Sequence, residues 1–494
     1  MKKNLTSVLS VLLAVLFIAG MMAGCANDPA VPEDTTAPAV ASSEDSDQKD
    51  ETAAAFQPTD LNLGGEEFVI YGSVDKYNMI MNILSDEITG SSVQDAKYTA
   101  REKVESLYNV KLVEERAPWD NRLVPIQTAC QTGDTTYDVA FLYSSHIGTL
   151  TTSGYLNNMY EIESADITKP WYDQRIRTDG TIKNKYLFYL LSDAQLMALE
   201  GTWAIFYNKG IAETVNLENP YDYVRSGKWT FEKLKEMASS AASLNGDDSW
   251  SFSQTGHSIY GMASFKNFIN AAVTGCGEFY VLKDSEDVPY YAFGQSETVY
   301  DVAERIVALT GATADGTYIS ANSTGKHYLN DIFKQGRSLF CGAELKAAAN
   351  ELNDMADEFG LLPIPKYNED QESYYSNILW SSLMYTIPTC VKDVEKTAVI
   401  MDALSYYNYD LVVPMYSERV SYRGLKDADS VEMVNLIHDT RYFVWGITYG
   451  WLTSIEPEIN TKLDAGISAI AGNVKSSAKL IPVNIQKTLD ELGD

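Results

Sequence analysis

The sequence predicts an α/β protein built on a parallel sheet covered by helices on both faces. Three observations carry this reading. Residues 68–143 alternate strand, helix, strand, helix, strand at the short spacing that parallel crossovers require. A further apolar strand, WAIFY, follows at 203–207. The chain has 494 residues, 45% hydrophobic and 11% aromatic, enough for a packed core and about two to three domain-sized units. Such a composition excludes an intrinsically disordered protein.

The elements follow in order. Phe68-Val69-Ile70-Tyr71 follows Gly64-Gly65 and reads as a buried strand ending at Gly72-Ser73. Ala96, Ala100, Val104 and Leu107 recur at helical spacing, and Asn109 is suited to close that helix in a left-handed conformation. Residues 110–114 form the next strand. Leu123, Ile126 and Ala129 mark a helix stopped near Gly133, and 137–143 (YDVAFLY) is a third strand opening into Ser144-Ser145-His146. In such sheets ligands sit off the carboxyl ends of strands, which places the loops after Tyr71 and Tyr143 at a site. Further on, Thr230 is an N-cap for a helix carrying Phe231, Leu234 and Met237. Two more helices carry Val299, Val302, Ile306 and Leu309, ended by Gly311, and Val394, Ala398, Met401 and Leu404.

The 38 Lys and Arg against 68 Asp and Glu leave a net charge of −30. Nucleic acid and anionic membrane surfaces reward the opposite sign, so neither is expected as a partner. The first 25 residues have the order of a signal peptide: Lys2 and Lys3, an apolar run at 8–16, then small residues ending at Cys25. A permanent membrane anchor is the alternative, but an acidic stretch follows instead of basic residues. Residues 26–60 read as an extended acidic tether, with four prolines, nine acidic residues against Lys49, and Phe56 as its one aromatic. Cys130, Cys276, Cys341 and Cys390 are widely spaced with no CxxC pair, which argues against zinc. Disulfides remain open, with three pairings if all four join, beside the alternative of buried free thiols.

Catalytic signatures are missing from the sequence. The four histidines are far apart, and there is no HExxH, GxSxG, GxxxxGK[ST] or GxGxxG pattern. No enzyme, cofactor or metal is expected.

Residues 206–238, FYNKGIAETVNLENPYDYVRSGKWTFEKLKEMA, closely resemble a segment of the family-1 extracellular solute-binding proteins of bacterial ABC importers. In that family FYNK follows the first crossing between lobes, and NP and GKWT belong to one large branch. YDVAFLYSS (137–145) before SGYLNNMYEI (153–162), FKQGRSLF (333–340) and FGLLPIPKYNEDQESYYS (359–376) match in the family order. Met22-Ala23-Gly24-Cys25 resembles the bacterial lipobox, whose cysteine receives a lipid. The resemblance implies a two-lobe periplasmic-binding-protein-like fold with discontinuous lobes and a hinge. Residues 61–200 and 336–377 would form the first lobe, 201–335 and 378–494 the second, with crossings near 200, 336 and 378. It also implies a monomeric, lipid-anchored receptor on the outer face of the cell membrane, handing a solute, most often a sugar in this branch, to a permease.

Sugar sites combine aromatic faces with carboxylates, amides and hydroxyls. Trp203 at the first crossing, Trp380 near a later one, and Trp445 in the aromatic segment RYFVWGITYGW (441–451) are the expected platforms, with a core role as the alternative for each. Gly446 and Gly450 favour a loop around Trp445. Ser144, Ser145 and His146, and Asp75 with Lys76, follow predicted strands and are expected in the cleft. The competing functions are a surface glycan hydrolase, which needs a carboxylate pair about 5–10 Å apart, and a peptide-binding or adhesive lipoprotein.

Overall fold

The computed structural model describes residues 56–118, 122–265, 267–320, 328–424, 428–452 and 467–493. The signal segment, Cys25 and residues 26–55 of the expected tether lie outside them. In chain order the first strands are β1 (Glu66–Ser73), β2 (Val110–Ala117), β3 (Val139–Tyr143), β4 (Trp203–Asn208) and β5 (Tyr260–Ser264). Then come β6 (Val281–Lys283), β7 (Pro289–Tyr291), β8 (Tyr318–Ser320) and β9 (Ser338–Glu344). The last are β10 (Phe359–Leu362), β11 (Ser376–Asn377), β12 (Leu383–Thr386) and β13 (Arg441–Tyr442).

Two mixed sheets organise the described chain. The first runs β12-β3-β1-β2 and the second β10-β4-β9-β5-β8. β1 pairs parallel with β2 and β3, as the crossovers through helices Ser92–Tyr108 and Leu123–Thr132 demand. Asn109 closes the first of these helices at φ 48°, its N–H donating to the Glu105 carbonyl. The helix Phe231–Ala241 begins at Thr230, whose side chain accepts from the Lys233 N–H.

The expected lobe boundaries need correction. β9 and β10 both pair with β4 in the second sheet, whereas 336–377 was expected in the first lobe. β12 pairs antiparallel with β3 in the first sheet, whereas 378–494 was expected in the second. Short apolar return strands carry no mark in their own sequence of the sheet they join. The tether also ends earlier than expected: the Phe56 ring stacks on Tyr406 at 4.7 Å, because a lone aromatic gains more from burial than from extension.

Alternation along the strands builds three apolar clusters. Phe68, Ile70, Val139 and Phe141 face one way, against Val104 and helix Val394–Tyr407. Ala204, Phe206, Cys341 and Leu361 form the corresponding cluster on the second sheet, with Tyr416 and Ile437. The opposite faces, represented by Tyr71, Ala140 and Leu142 from the first sheet and Ile205 and Met262 from the second, belong to one cluster. That cluster also takes in Tyr442, Trp445, Trp451 and residues of the helix Ile467–Leu492.

Candidate ligand-binding cleft

The carboxyl ends of β1 and β3 and the start of β12 meet the carboxyl ends of β5 and β9 and the start of β4. A cleft of ≈ 590 Å³ opens there, lined from the first-sheet side by Tyr77, Asn78 and Met79 and by Leu379, Trp380 and Ser381. From the second-sheet side come Trp203, Phe265, Asn267, Tyr328, Glu344 and Lys346. It is the position at which parallel strand edges place ligands.

Local chemistry explains how each wall is held. After β1 the chain turns around Asp75, whose Oδ1 accepts from the N–H groups of Met81 (2.8 Å) and Asn82 (3.2 Å). Tyr77 and Asn78 both adopt φ 59°, a left-handed conformation unfavourable for non-glycine residues that must be held by its surroundings. Lys346 Nζ donates to the Tyr77 carbonyl at 2.9 Å, Asn350 Nδ2 to the Asn78 carbonyl at 2.8 Å, and the Ile80 N–H donates to Glu200. The buried Glu114 carboxylate accepts from Ile83 and Leu84, and Lys97 Nζ donates to the Asn82 carbonyl at 2.8 Å. The loop is therefore pinned to Glu114 and Lys97 on its own sheet's side and to Glu200, Lys346 and Asn350 beside the second.

Opposite it, the Ser144 N–H donates to the Ser382 carbonyl at 3.1 Å, and the Ser144 hydroxyl donates to the Trp380 carbonyl. These bonds fix the backbone beneath Trp380, whose ring stays 44% exposed. Tyr77 is 51% exposed, whereas Trp203 is buried at 4% and forms floor rather than platform. Glu344 and Lys346 pair at 3.2 Å and, with Asn78, Asn267 and Ser381, give the cleft its polar groups.

Burial sets the charge states around this loop. It raises the Glu200 carboxyl to about 7, opposed by the Ile80 N–H bond and then by Lys346, Arg419 and Lys97. It lowers Lys97 to about 8, opposed by Glu114, Glu200 and Asp75. His146 is lowered to about 4, first by burial and then by Arg122. The Arg122 guanidinium lies 4.1 Å from the centre of the Tyr143 ring.

The structure brings Trp203 and Trp380 to the same cleft and places the other expected residues elsewhere. Asp75 shapes the loop that carries Tyr77, and the Lys76 ammonium lies 5.2 Å from the Tyr77 ring centre. Ser144 is fully buried behind Trp380. Ser145 is exposed in the first turn of a helix, Ser144–Thr152, where a loop was expected, and is not among the lining residues. His146 lies edge-on to Tyr143 at 5.6 Å, also away from the lining. Trp445 is the clear correction: it is 2% exposed and packs on Trp451 at 5.5 Å. Trp445 opens a single 3-10 turn, Trp445–Ile447, where a loop was expected; Gly450 beyond it sits at φ 72°, and the rings turn inward. Tyr449 stacks on Trp451 at 4.8 Å, and Trp451 Nε1 donates to Thr488 of the last helix at 2.9 Å. A side chain at Gly148 would lie 2.7 Å from the Tyr449 backbone, so this segment docks too closely on helix Ser144–Thr152 to open into a cleft.

Sequence reasoning missed Tyr77, Asn78, Asn267, Glu344 and Lys346. Tyr77 stands two residues beyond Asp75, and an aromatic in a polar post-strand loop was the available signal. Glu344 ends an apolar strand and Lys346 lies two residues past it, and nothing local marks either.

No protein-family model matches the chain. No curated protein matches it either. Among solved structures it is similar to a sugar transporter from Rhizobium etli in an open conformation, with a TM-score of 0.57 and 14% identity over 85% of this chain and 99% of that one. A cyclic alpha-maltosyl-1,6-maltose binding protein from Arthrobacter globiformis gives 0.55 and 12% over 86% and 100%. An ABC substrate-binding protein from Listeria monocytogenes in complex with cycloalternan gives 0.51 and 12% over 86% and 99%. The chain has the two-lobe periplasmic-binding-protein-like fold. The three neighbours are sugar-binding or sugar-transport proteins by their own descriptions, and it is their fold that this chain shares.

Proposed function

We propose that this protein captures a saccharide between its two lobes and presents it to an ABC permease. The observation that carries the reading is the pair of exposed rings, Trp380 and Tyr77, in a cleft whose rim is amide, hydroxyl and paired charge. Such rings cover the apolar faces of a sugar, and the polar groups take its hydroxyls. A volume of ≈ 590 Å³ lies within the roughly 300–1,000 Å³ usual for small-molecule sites. Among the described lining residues Glu344 is the one carboxylate, and it is paired with Lys346. Glycoside hydrolysis would need a second.

The lobes of the proposed machine follow the sheets. The first carries β1–β3 and β12, the second β4, β5 and β8–β10, and the crossings lie at 191–202 and 363–382. Ligand contacting both walls would favour the closed arrangement. Lipid on Cys25 would hold this monomeric receptor at the outer membrane face, with the acidic stretch as its leash. The test is a thermal-shift screen of the folded chain against mono- and oligosaccharides, amino acids and peptides. A melting temperature raised by a saccharide alone supports the reading, and a rise with peptides alone overturns it.

A further inference from the structure

Four cysteines occur among the described residues, and they divide into two kinds. Cys276 and Cys341 are buried, and burial pushes both thiols up, away from the reactive thiolate. Cys341 lies in the middle of β9 with its side chain in the cluster on the second sheet. Cys130 and Cys390 are different. They lie 260 positions apart, yet their Sγ atoms are 3.6 Å from each other. Cys130 sits near the end of helix Leu123–Thr132, part-exposed, and Cys390 follows β12.

The surroundings hold these two sulfurs together. The Thr389 N–H donates to the Tyr155 carbonyl at 2.9 Å, and the Asn157 N–H donates to the Ile387 carbonyl at 2.8 Å. The Cys130 thiol itself lies 3.7 Å from the Tyr155 carbonyl. Three segments remote in sequence thus converge on one point of the first sheet's flank. A disulfide needs its sulfurs about 2.05 Å apart, so side-chain rotation of the two cysteines has only a short gap to close.

We propose that Cys130 and Cys390 form a disulfide that staples the returning segment after β12 to the helix after β2, with Cys130 as the attacking thiol. The Cys390 hydrogen bond favours the thiolate on Cys130, and that charge in turn raises Cys390. Exposure points the same way, since Cys130 is the sulfur an oxidant can reach. The oxidant is a disulfide, either of a small thiol or of an oxidoreductase. The Cys130 thiolate attacks one of its sulfurs, forming a mixed disulfide and expelling one thiolate. Cys390 then gives up its proton and attacks Cys130 Sγ, releasing the second thiol. Two cysteine thiols become one disulfide, and the oxidant is reduced to two thiols.

The bond would close within the first sheet's own flank and span neither crossing, so lobe closure would remain free. It would lock the segment that leaves β12, at the opposite end of that strand from Trp380. A loop this long also removes much freedom from the unfolded chain.

The experiment incubates the folded chain with oxidised glutathione, blocks remaining thiols under denaturing conditions, and maps peptides without reduction. The expected result is one linked peptide pair containing Cys130 and Cys390, with Cys276 and Cys341 alkylated. Reductant should lower the melting temperature of the oxidised wild type, and Cys130→Ser and Cys390→Ser should each abolish that dependence. Saccharide affinity should be equal in both redox states, which keeps this test separate from that of the binding function. Full alkylation of Cys130 and Cys390 after oxidation, or linkage to Cys276 or Cys341, would overturn the proposal.

Discussion

Replacing Trp380 by alanine separates a binding platform from a structural ring. The side chain is 44% exposed, its backbone is held through the Ser144 bonds, and both bonds survive the substitution. A tryptophan offers about 150–250 Å² of burial in all. The exposed share is therefore of order 100 Å², and a sugar face would cover about half to all of it. At about 25 cal/mol per Å² the lost contact is worth roughly 1–2.5 kcal/mol, which is about a fivefold to seventyfold rise in Kd. Stability should change little, because surface substitutions usually stay within about 0.5 kcal/mol. Calorimetric titration of a saccharide that stabilises the wild type reads the first quantity, and urea denaturation reads the second. An unchanged Kd, or a stability loss of several kcal/mol with binding intact, would refute the platform role.

Three other predictions concern the core, the electrostatics and the anchor. Trp445→Ala should cost about 3–5 kcal/mol of stability, as for a buried ring, while the folded fraction binds saccharide with unchanged Kd; chemical denaturation and titration check the two halves. Glu200 is raised from 4.5 to about 7 by burial, so between those values the folded state binds the extra proton and stability falls as pH rises. Glu200→Gln should flatten that part of the unfolding profile, and a slope identical to wild type would show that Glu200 is not its source. Cys25→Ala should release the protein from membranes or leave it unprocessed, with the mature N-terminus read by mass spectrometry; cleavage elsewhere contradicts the lipid anchor.

Much of the first sheet was legible because its strands are apolar runs with clear helix caps between them. Phe68 to Tyr71 and 137–143, like 203–207 of the second sheet, need no partner to be read as strands; Asn109, tolerant of the left-handed conformation, marks a helix end, and the Thr230 side chain marks a helix start. Sheet membership was not legible. β9, β10 and β12 are short and apolar on either assignment, and their pairing depends on contacts more than a hundred residues away. Of the residues expected in a cleft, only Trp203 and Trp380 line the candidate one, for a related reason. Trp203 and Trp380 flank crossings, where the chain order itself points to a cleft. Trp445 looked equally suitable, since aromatic and glycine content cannot tell a ring that faces solvent from one that faces Trp451. Tyr77 depends on a strained loop held by Lys346 and Asn350, partners that no local pattern connects to it.

In the proposed function a saccharide sits between the two sheets and touches both. Hydrogen exchange with and without a saccharide that raises the melting temperature tests it most directly. Protection should appear together in 77–79 and 379–381 on one wall and in 344–346 on the other. Protection confined to one wall, or centred on 441–451, would contradict it.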